Sequence, residues 1–173
     1  MADIYVQIDG IQGEATDSQH QNWIEALSFT HEISQPASAT ASSAGGGTTA
    51  RTIHGDYVIT KYVDKASPKL YELASTGKHV DKIQIDMLRA SGDARVKYMQ
   101  VDMKKVIISF VAPAGGATPT DSQSSNDQTT FPIETVKFNY GEIKWTYTQQ
   151  KRDGTSAGQM TGGWSLIEHK TVA

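Results

Sequence analysis

Apolar and polar residues alternate with a period of two along most of the chain, which is the pattern of half-buried β-strands. At the start of the chain, Ile4, Val6 and Ile8 alternate with Tyr5 and Gln7. Further candidate strands show the same alternation or are rich in β-branched and aromatic residues, and they lie at 23–33, 57–63, 83–87, 96–110, 136–147 and 164–166. The pattern predicts a mainly β protein.

The segment 23–33 reads as one long strand whose large apolar residues share a single face: Trp23, Leu27, Phe29 and Ile33. We therefore predict that this face is buried. Trp23 and Trp145 are both in phase with apolar strand residues. We expect them to pack in the core rather than to form a sugar-stacking platform.

The alternation is interrupted by steps of three, which move the apolar residues to the other face unless the strand bulges or ends. One such step falls at Gly141, between Tyr140 and Ile143. Glycine suits both a bulge and a hairpin turn, and the sequence leaves these alternatives open. Because bulged strands allow a sheet to curl, the pattern is typical of a β-barrel or a sandwich.

One short helix is predicted over Pro68–Thr76. Ser67 precedes a proline at the first helical position and is the expected N-cap, and Gly77 is the expected C-terminal glycine. The segments 35–49 and 113–130 are small, polar and rich in Gly or Pro, so we predict long loops there, and Asp153-Gly154 predicts a turn. Strands of one kind flank both loops, and we predict a single domain over residues 1–173.

Composition and charge exclude several classes of protein. Sixteen Lys and Arg against nineteen Asp and Glu give a net charge of −3, so we expect no nucleic-acid partner. The chain has no cysteine, which excludes disulfides and thiolate metal sites. No apolar run approaches the ~20 residues of a membrane helix, so we expect no membrane insertion. The N-terminus lacks the features of a signal peptide, and we expect synthesis in the cytoplasm and any export to proceed without one.

No catalytic, cofactor-binding or metal-binding set is predicted. The five histidines have no metal-ligand spacing, and we expect them at the surface or at interfaces: His20, His31, His54, His79 and His169. No G-x-S-x-G motif occurs, and Gly45-Gly46-Gly47 lacks the lysine of a phosphate loop. The N-terminal acids read as a solvated loop rather than a glycosidase pair.

Several motifs in order along the chain resemble the Hcp family, the haemolysin-coregulated proteins of type VI secretion. They begin with I-Y-V-Q-I-D-G-I-Q-G-E-A-T-D at 4–17 and H-Q-N-W-I-E-A-L-S-F at 20–29. The block V-D-K-A-S-P-K-L at 63–70, followed by A-S-T-G-K-H at 74–79, is the most specific. Later segments are V-K-Y-M-Q-V at 96–101, E-T-V-K-F-N-Y at 134–140 and Y-T-Q-Q-K-R-D-G at 147–154.

The resemblance implies a small β-barrel of two packed antiparallel sheets, with one short α-helix and long loops. It implies homo-hexameric rings that stack into a hollow tube inside a contractile sheath. A VgrG-type spike protein caps the tube, and the tube is expelled with the spike. The rings would carry secreted effectors in the lumen, and no catalysis or cofactor is implied.

For ring stacking we predict contacts from two segments, Gly13–Gln19 and Ser38–Thr49. The candidate residues are Glu14, Asp17, Gln19, Ser42, Ser43, Gly45, Gly46 and Gly47. A small, polar loop can order against the next ring at an entropic cost that keeps the contact reversible. The alternative is that this loop is only a tolerated surface insertion.

Two other functions remain open from the residues alone. One is a monomeric ligand-binding β-barrel, with the tryptophans and Tyr57, Tyr62 or Tyr98 around a pocket. The other is a hydrolase whose catalytic set has no recognisable sequence motif.

Overall fold

The structure is a computed structural model that describes residues 3–36, 51–91, 94–115, 131–150 and 156–172. Six short strands come before the helix in the chain: β1 (Asp3–Ile8), β2 (Ile24–Ala26), β3 (Ser28–Thr30), β4 (Ile33–Ser34), β5 (Ile53–His54) and β6 (Tyr57–Tyr62). The helix α1 (Ser67–Thr76) is followed by β7 (Val80–Ser91), β8 (Ala94–Ala114), β9 (Ile133–Gln150), β10 (Ser156–Ser165) and β11 (Lys170–Thr171). The prediction of a mainly β fold with one short helix is confirmed.

Antiparallel strand pairs, together with the direct chain connection from β2 to β3, form a closed circuit. β1 pairs with β2 on one side and with β7 on the other, and β7, β8 and β9 follow in order. β9 also pairs with β6, and β6 pairs with β3. β3 follows β2 after Leu27 alone, whose N–H donates to the Thr60 carbonyl at 2.7 Å. The circuit thus returns to its first strand.

Two parts of the fold lie outside this circuit. β10 continues the sheet beyond β9, and β11 pairs with the end of β10. β4 and β5 form a separate two-stranded sheet. The segment between β4 and β5 contains the predicted loop 35–49, of which residues 37–50 lie outside the described residues.

The core lies between the circuit of strands and the helix. Its apolar side chains come from β1, β2, β6, β7, β8, β9 and α1, and those fully shielded from solvent include Val6, Ile24, Ile59, Leu70, Ile83, Met103 and Phe138. Burying such side chains contributes roughly 25 cal/mol per Å² of apolar area, so this core is the main source of stability.

The steps of three are accommodated in two ways. In β8 a bulge at Tyr98 accommodates the step from Tyr98 to Val101, and a further bulge at Ser109 falls where the sequence pattern shows no such step. At Gly141 the register between β8 and β9 does not shift, because each strand has one unpaired residue at this place. These residues are Gly141 on β9 and Lys105 on β8, and Lys105 has a φ of 53°. β9 runs straight through Gly141, so the turn alternative is wrong. A Cβ at Gly141 would lie 2.6 Å from Cδ1 of the exposed Ile167 side chain, which would have to move aside.

The prediction of one long strand with a buried odd face at 23–33 is wrong. The segment divides into β2, β3 and β4, which pair with different strands. Ile24 is fully buried, whereas Leu27, Phe29 and Ile33 are 40–47% exposed. The chain changes partner at Leu27, and the residues beyond it therefore do not continue the face that β2 presents to the core.

The helix begins one residue earlier than predicted, and Ser67 is not its cap. Ala66 occupies the N-cap position without a side-chain hydrogen bond. Ser67 is buried instead, and its hydroxyl donates to Glu134 at 2.7 Å. The helix ends as predicted at Gly77, whose φ of 62° is left-handed and whose N–H donates to the Leu73 carbonyl.

The last part of the chain has more strand than predicted. Trp164 lies near the end of the ten-residue strand β10 rather than at the start of a short one. The Asp153-Gly154 turn lies outside the described residues, in the connection between β9 and β10.

Candidate assembly surfaces

The residues 9–23, here called the N-terminal loop, are fixed to the barrel through His20. The imidazole is buried, and Nδ1 lies 2.8 Å from Asp17 Oδ1 while Nε2 lies 3.0 Å from Asp86 Oδ2. The ring stacks on Tyr5 with centroids 4.5 Å apart and meets the edge of Trp23. This histidine ties the loop to β7, so the prediction of a surface position is wrong for His20.

Asp17 organises the same loop. Its carboxylate accepts hydrogen bonds from the backbone N–H groups of Gln19 and His20 as well as from the His20 ring. The hydrogen bond from His20 holds the pKa of Asp17 below its usual value, against the opposing effect of burial. Arg95 on β8 lies 3.7 Å away and adds a charge of opposite sign.

The predicted stacking residues are placed as follows. Glu14 and Gln19 are exposed, and Asp17 is partly buried. Glu14 accepts a hydrogen bond from the Lys65 backbone N–H at 3.0 Å, which links the N-terminal loop to the turn before α1. Ser42, Ser43, Gly45, Gly46 and Gly47 lie outside the described residues.

A buried ion pair holds the helix on the sheet. Lys61 Nζ lies 2.7 Å from Glu134 Oε1 and 2.8 Å from Asp64 Oδ1. Tyr71 and Ser67 donate to the same Glu134 carboxylate. Burial alone would raise the pKa of Glu134, but these three hydrogen bonds hold it below its usual value. Lys61, Asp64, Ser67 and Tyr71 are close in sequence, but Glu134, which joins them, is 63 or more residues away, and no sequence pattern indicated it.

Two more histidines meet at one tyrosine. Tyr140 Oη lies 2.7 Å from His31 Nε2 and 2.9 Å from His54 Nδ1, and these contacts fasten the β4–β5 sheet to β9. The rings of Tyr57 and Trp145 also lie within 6.3 Å of His31. Burial lowers the pKa of both histidines. Like His20, these two histidines hold parts of the fold together, and their spacing in the sequence did not indicate this role.

An apolar groove lies beside this cluster, and we call it the Trp164 groove. It has a volume of about 670 Å³ and includes Ile33, Arg51, His54, Trp145, Trp164 and His169. Arg51 Nη1 lies 3.3 Å from His169 Nε2. The Trp164 indole N–H is buried and has no hydrogen-bond partner among the described residues. Trp145 packs against the core as predicted, but it also borders this groove.

A second surface, here called the aromatic patch, lies where β6 ends. It comprises Tyr62, Val63 and Phe131 together with the acidic residues Glu14, Glu25 and Asp64. Phe131 is 66% exposed and meets the edge of the Tyr62 ring at 6.2 Å. Exposed aromatic residues in contact with one another are typical of interaction surfaces.

The outer side of β10 is a third candidate surface. β10 pairs with β9 along its length, but on its other side β11 reaches only Trp164 and Ser165. In the part of the chain that the structure describes, no strand pairs with the outer side of the preceding residues of β10. Met160 on this stretch is 78% exposed. An unpaired edge of this kind is a template for a strand of another chain.

The tyrosines proposed for a ligand pocket do not converge. Tyr57 is buried, Tyr62 belongs to the aromatic patch, and Tyr98 contacts Arg89. Among the described residues, no group of three or more His, Asp or Glu side chains is arranged to hold a metal ion. None of the helices among the described residues has the length and apolar character needed to cross a bilayer.

Comparison with known proteins agrees with these features. Residues 5–147 match the family model described as "Type VI secretion system effector, Hcp". The chain is 29% identical over 168 residues to "Protein hcp1" of Pseudomonas aeruginosa, an alignment that covers 96% of each. It is 26% identical over 145 residues to the "Major exported protein" of the same organism, covering 83% of this chain and 79% of that one.

Solved structures give the same result for the fold. A "type six secretion system protein" aligns over 99% of this chain and 100% of its own, with a TM-score of 0.86 and 27% identity. Hcp1 from Salmonella typhimurium aligns over 99% of both chains, with a TM-score of 0.73 and 26% identity. The barrel architecture implied by the motifs is thus that of the Hcp fold. The chain belongs to the Hcp family of type VI secretion proteins.

Proposed function

We propose that this chain is the structural subunit of a type VI secretion inner tube. Six copies form a ring, and rings stack into a hollow tube that is expelled with its spike. The observation that carries the proposal is the unpaired outer edge of β10, because a ring neighbour can cover it and so remove a site of uncontrolled aggregation.

The exposed apolar residues support a role in assembly. Leu27 lies between β2 and β3, Phe29 lies on β3, and Met160 lies on β10, so one copy presents exposed apolar side chains on strands that do not pair with each other. A ring made by head-to-tail contacts needs two such surfaces on every copy. A contact burying about 1,200–2,000 Å² would be ordinary for a stable ring.

The remaining partners follow from the family. We propose that the tube contacts a VgrG-type spike protein at its tip, contractile sheath subunits outside and secreted effectors in its lumen. In this role the protein acts as carrier and projectile, without catalysis, and it leaves the cytoplasm through the secretion machine.

The ring hypothesis is tested by mass and shape. Light scattering or native mass spectrometry of the purified chain should give a species near 113 kDa, six times 18.8 kDa. Electron micrographs should show rings with an open centre. A clean monomer at micromolar concentration contradicts the proposal.

The stacking loops are tested by deletion. Removing residues 40–48 should leave hexamers intact but shorten the tubes, because the ring contacts proposed for β10 do not involve this segment. Unchanged tube length would reject the segment Ser38–Thr49 as a stacking contact and favour a tolerated insertion.

One observation favours the alternative of a monomeric ligand-binding barrel, and that is the Trp164 groove. Its volume and its apolar walls, formed by Ile33, Trp145 and Trp164, suit a small molecule. A monomer that binds a hydrophobic dye at this groove, with quenching of tryptophan fluorescence, would support this alternative over the ring.

A further inference from the structure

A polar cleft lies between the N-terminal loop and the sheet, and we call it the amide cleft. It has a volume of about 620 Å³, which is within the range of small-molecule sites. From the loop, residues 9–12 at its start and 21–23 at its end border the cleft. From the sheet, Gln7 on β1 and Gln84 on β7, which lie opposite each other, border it as well. The cleft is therefore built from three separate segments of the chain.

The two ends of the loop are held in place by the chain itself. The Gly13 N–H donates to the Asn22 carbonyl at 2.8 Å, and the Ala15 N–H donates to the Trp23 carbonyl at 2.9 Å. The buried His20 ties the same loop to β7. Compact surface loops whose ends lie close together are frequently functional. Because the walls of the cleft are fixed before any binding, a ligand does not have to order them at an entropic cost.

The cleft is rich in side-chain amides, each of which has two donor hydrogens and an acceptor oxygen. The residues that contribute these amides are Gln7, Gln12, Gln21, Asn22 and Gln84. The Gln84 amide donates to Asp86 at 3.1 Å, whereas the other four amides have no hydrogen-bond partner among the described residues. In solution these four amides bond to water. A ligand hydroxyl can replace such a water molecule with a similar hydrogen bond.

Charge and aromatic character narrow the class of ligand. Asp9 and Lys82 border the cleft with opposite charges, and Lys82 is also paired with Asp102 at 3.2 Å. The cleft thus has no excess of either charge, and a charged ligand gains little from it. Trp23 is half-buried and also borders the cleft, and an indole ring can pack on the apolar face of a sugar. Several free amides beside one indole suit a neutral molecule with many hydroxyl groups.

We propose that the amide cleft binds a neutral carbohydrate. Gln12 and Gln21, one from each end of the N-terminal loop, hold sugar hydroxyl groups by paired donor and acceptor contacts, and Gln7 does so from the sheet. Trp23 packs against the sugar ring. The proposal goes beyond the tube and does not depend on it, because all the residues of the cleft belong to one copy of the chain.

The test is saturation-transfer difference NMR, which detects the protons of a small ligand in contact with a protein in any state of assembly. The probes are the neutral trisaccharides maltotriose, cellotriose and chitotriose, and trigalacturonate is the charged control. We expect transfer to at least one neutral probe, with a dissociation constant in the millimolar range or below, and none to trigalacturonate. Transfer to none of the neutral probes, or equal transfer to the charged one, would overturn the proposal.

Amide deletion locates the site. Gln12→Ala and Gln21→Ala should each weaken binding by roughly two- to tenfold, because each removes neutral hydrogen bonds to the sugar. Both positions are exposed, so circular dichroism should be unchanged. Gln19→Ala, at an exposed position of the same loop outside the cleft, is the matched control and should bind like the wild type. Unweakened binding by the double variant Gln12→Ala/Gln21→Ala would place the sugar elsewhere and reject the cleft, while the hexamer, measured separately, would stand.

Discussion

At the scale of single residues, the most consequential group is the buried ion pair under the helix. Lys61 and Glu134 have side chains wholly shielded from solvent, and each has additional hydrogen-bond partners. Removing one member of such a pair leaves a charge in a medium that cannot solvate it. A surface ion pair of equal length has no such consequence, since water replaces the lost partner.

We predict that Lys61→Met lowers the free energy of unfolding by about 3–5 kcal/mol. The matched control is Lys69→Met, which breaks the exposed Lys69–Glu72 pair on the helix. This variant should change the free energy of unfolding by less than about 1 kcal/mol. Urea titration followed by circular dichroism measures both. The double variant Lys61→Met/Glu134→Leu should be more stable than Lys61→Met, because it removes the wholly buried Glu134 carboxylate and leaves only the partly exposed Asp64 carboxylate without its lysine. A further loss of stability would contradict this account.

Asp17 makes the attachment of the N-terminal loop sensitive to acid. Because its pKa is lower in the folded protein, its contribution is fully present above the ordinary aspartate value and is lost as the pH falls through the folded value. We expect Asp17→Asn to lower stability at pH 7 by about 1–3 kcal/mol. The difference between variant and wild type should shrink below pH 4, as followed by urea titration. A difference that stayed constant down to pH 2 would exclude this carboxylate as the titrating group.

At the scale of elements, the β4–β5 sheet is joined to the barrel through the two histidines on Tyr140. Burial lowers the pKa of both, and the neighbouring charge of His54 lowers that of His31 further. Such groups stabilise the fold above their unfolded value of ~6.5, and this contribution is lost as the pH falls. The other ionisable groups facing the cluster are the Tyr57 and Tyr140 hydroxyls and, through Tyr140, Asp56.

We predict that the β4–β5 sheet loosens as the pH falls from 7 to 5. Trp145 reports this change, because its ring centroid lies 6.3 Å from that of His31. Its fluorescence should titrate in the wild type and should lose most of this response in His31→Phe. His79→Phe, which alters an exposed histidine outside the cluster, should keep the full response. If the fluorescence of all three proteins changed equally with pH, a group other than His31 would be responsible for the change.

The N-terminal loop also depends on one glycine. A Cβ at Gly13 would overlap the backbone carbonyl of Trp23, which cannot move without disrupting the pairing of the loop. We predict that Gly13→Ala lowers the free energy of unfolding by about 3 kcal/mol or more. Gly162→Ala is the matched control, since nothing lies within 4 Å of a Cβ there. Thermal unfolding of the two variants gives the comparison, and similar midpoints would contradict the steric argument.

The elements show where sequence patterns succeed. The alternation at 4–8 and 83–87 predicted β1 and the middle of β7 correctly, because the alternating apolar residues of both segments are buried in the core: Ile4, Val6, Ile8, Ile83, Ile85 and Met87. It failed at 23–33, where the chain changes partner at Leu27 and its apolar residues face outward. Periodicity records which residues share a face, but it does not record whether that face meets the core or a second molecule.

The candidate surfaces were less accessible to prediction than the fold. Glu14 was predicted as a stacking residue and stays a prediction, and the structure adds Tyr62, Phe131 and Trp164 as candidates. These residues are distant in sequence, and they come together only when β6, β9 and β10 pair in the folded protein. A pattern along one chain carries no information about such convergence.

At the scale of the whole molecule, assembly should fail without loss of the fold when the β10 edge is altered. We predict that Met160→Lys converts most of the hexamer to monomer, because a charged, strongly hydrated side chain opposes pairing at a strand edge. Circular dichroism should be unchanged. Lys78→Glu, an exposed change outside β10, should remain hexameric by light scattering. If the Met160→Lys variant stayed hexameric, the β10 edge would not be the ring contact, and Leu27 and Phe29 would be the next candidates.

The closed circuit of strand pairs has a mechanical consequence. A strand at the border of an open sheet can be peeled away by breaking one row of hydrogen bonds at a time. β1 is flanked by β2 and by β7, so pulling it out requires two rows to rupture together. In the proposed function, a tube pushed out by a contracting sheath would experience shear along its walls, and strands held on both sides resist being peeled away under that load.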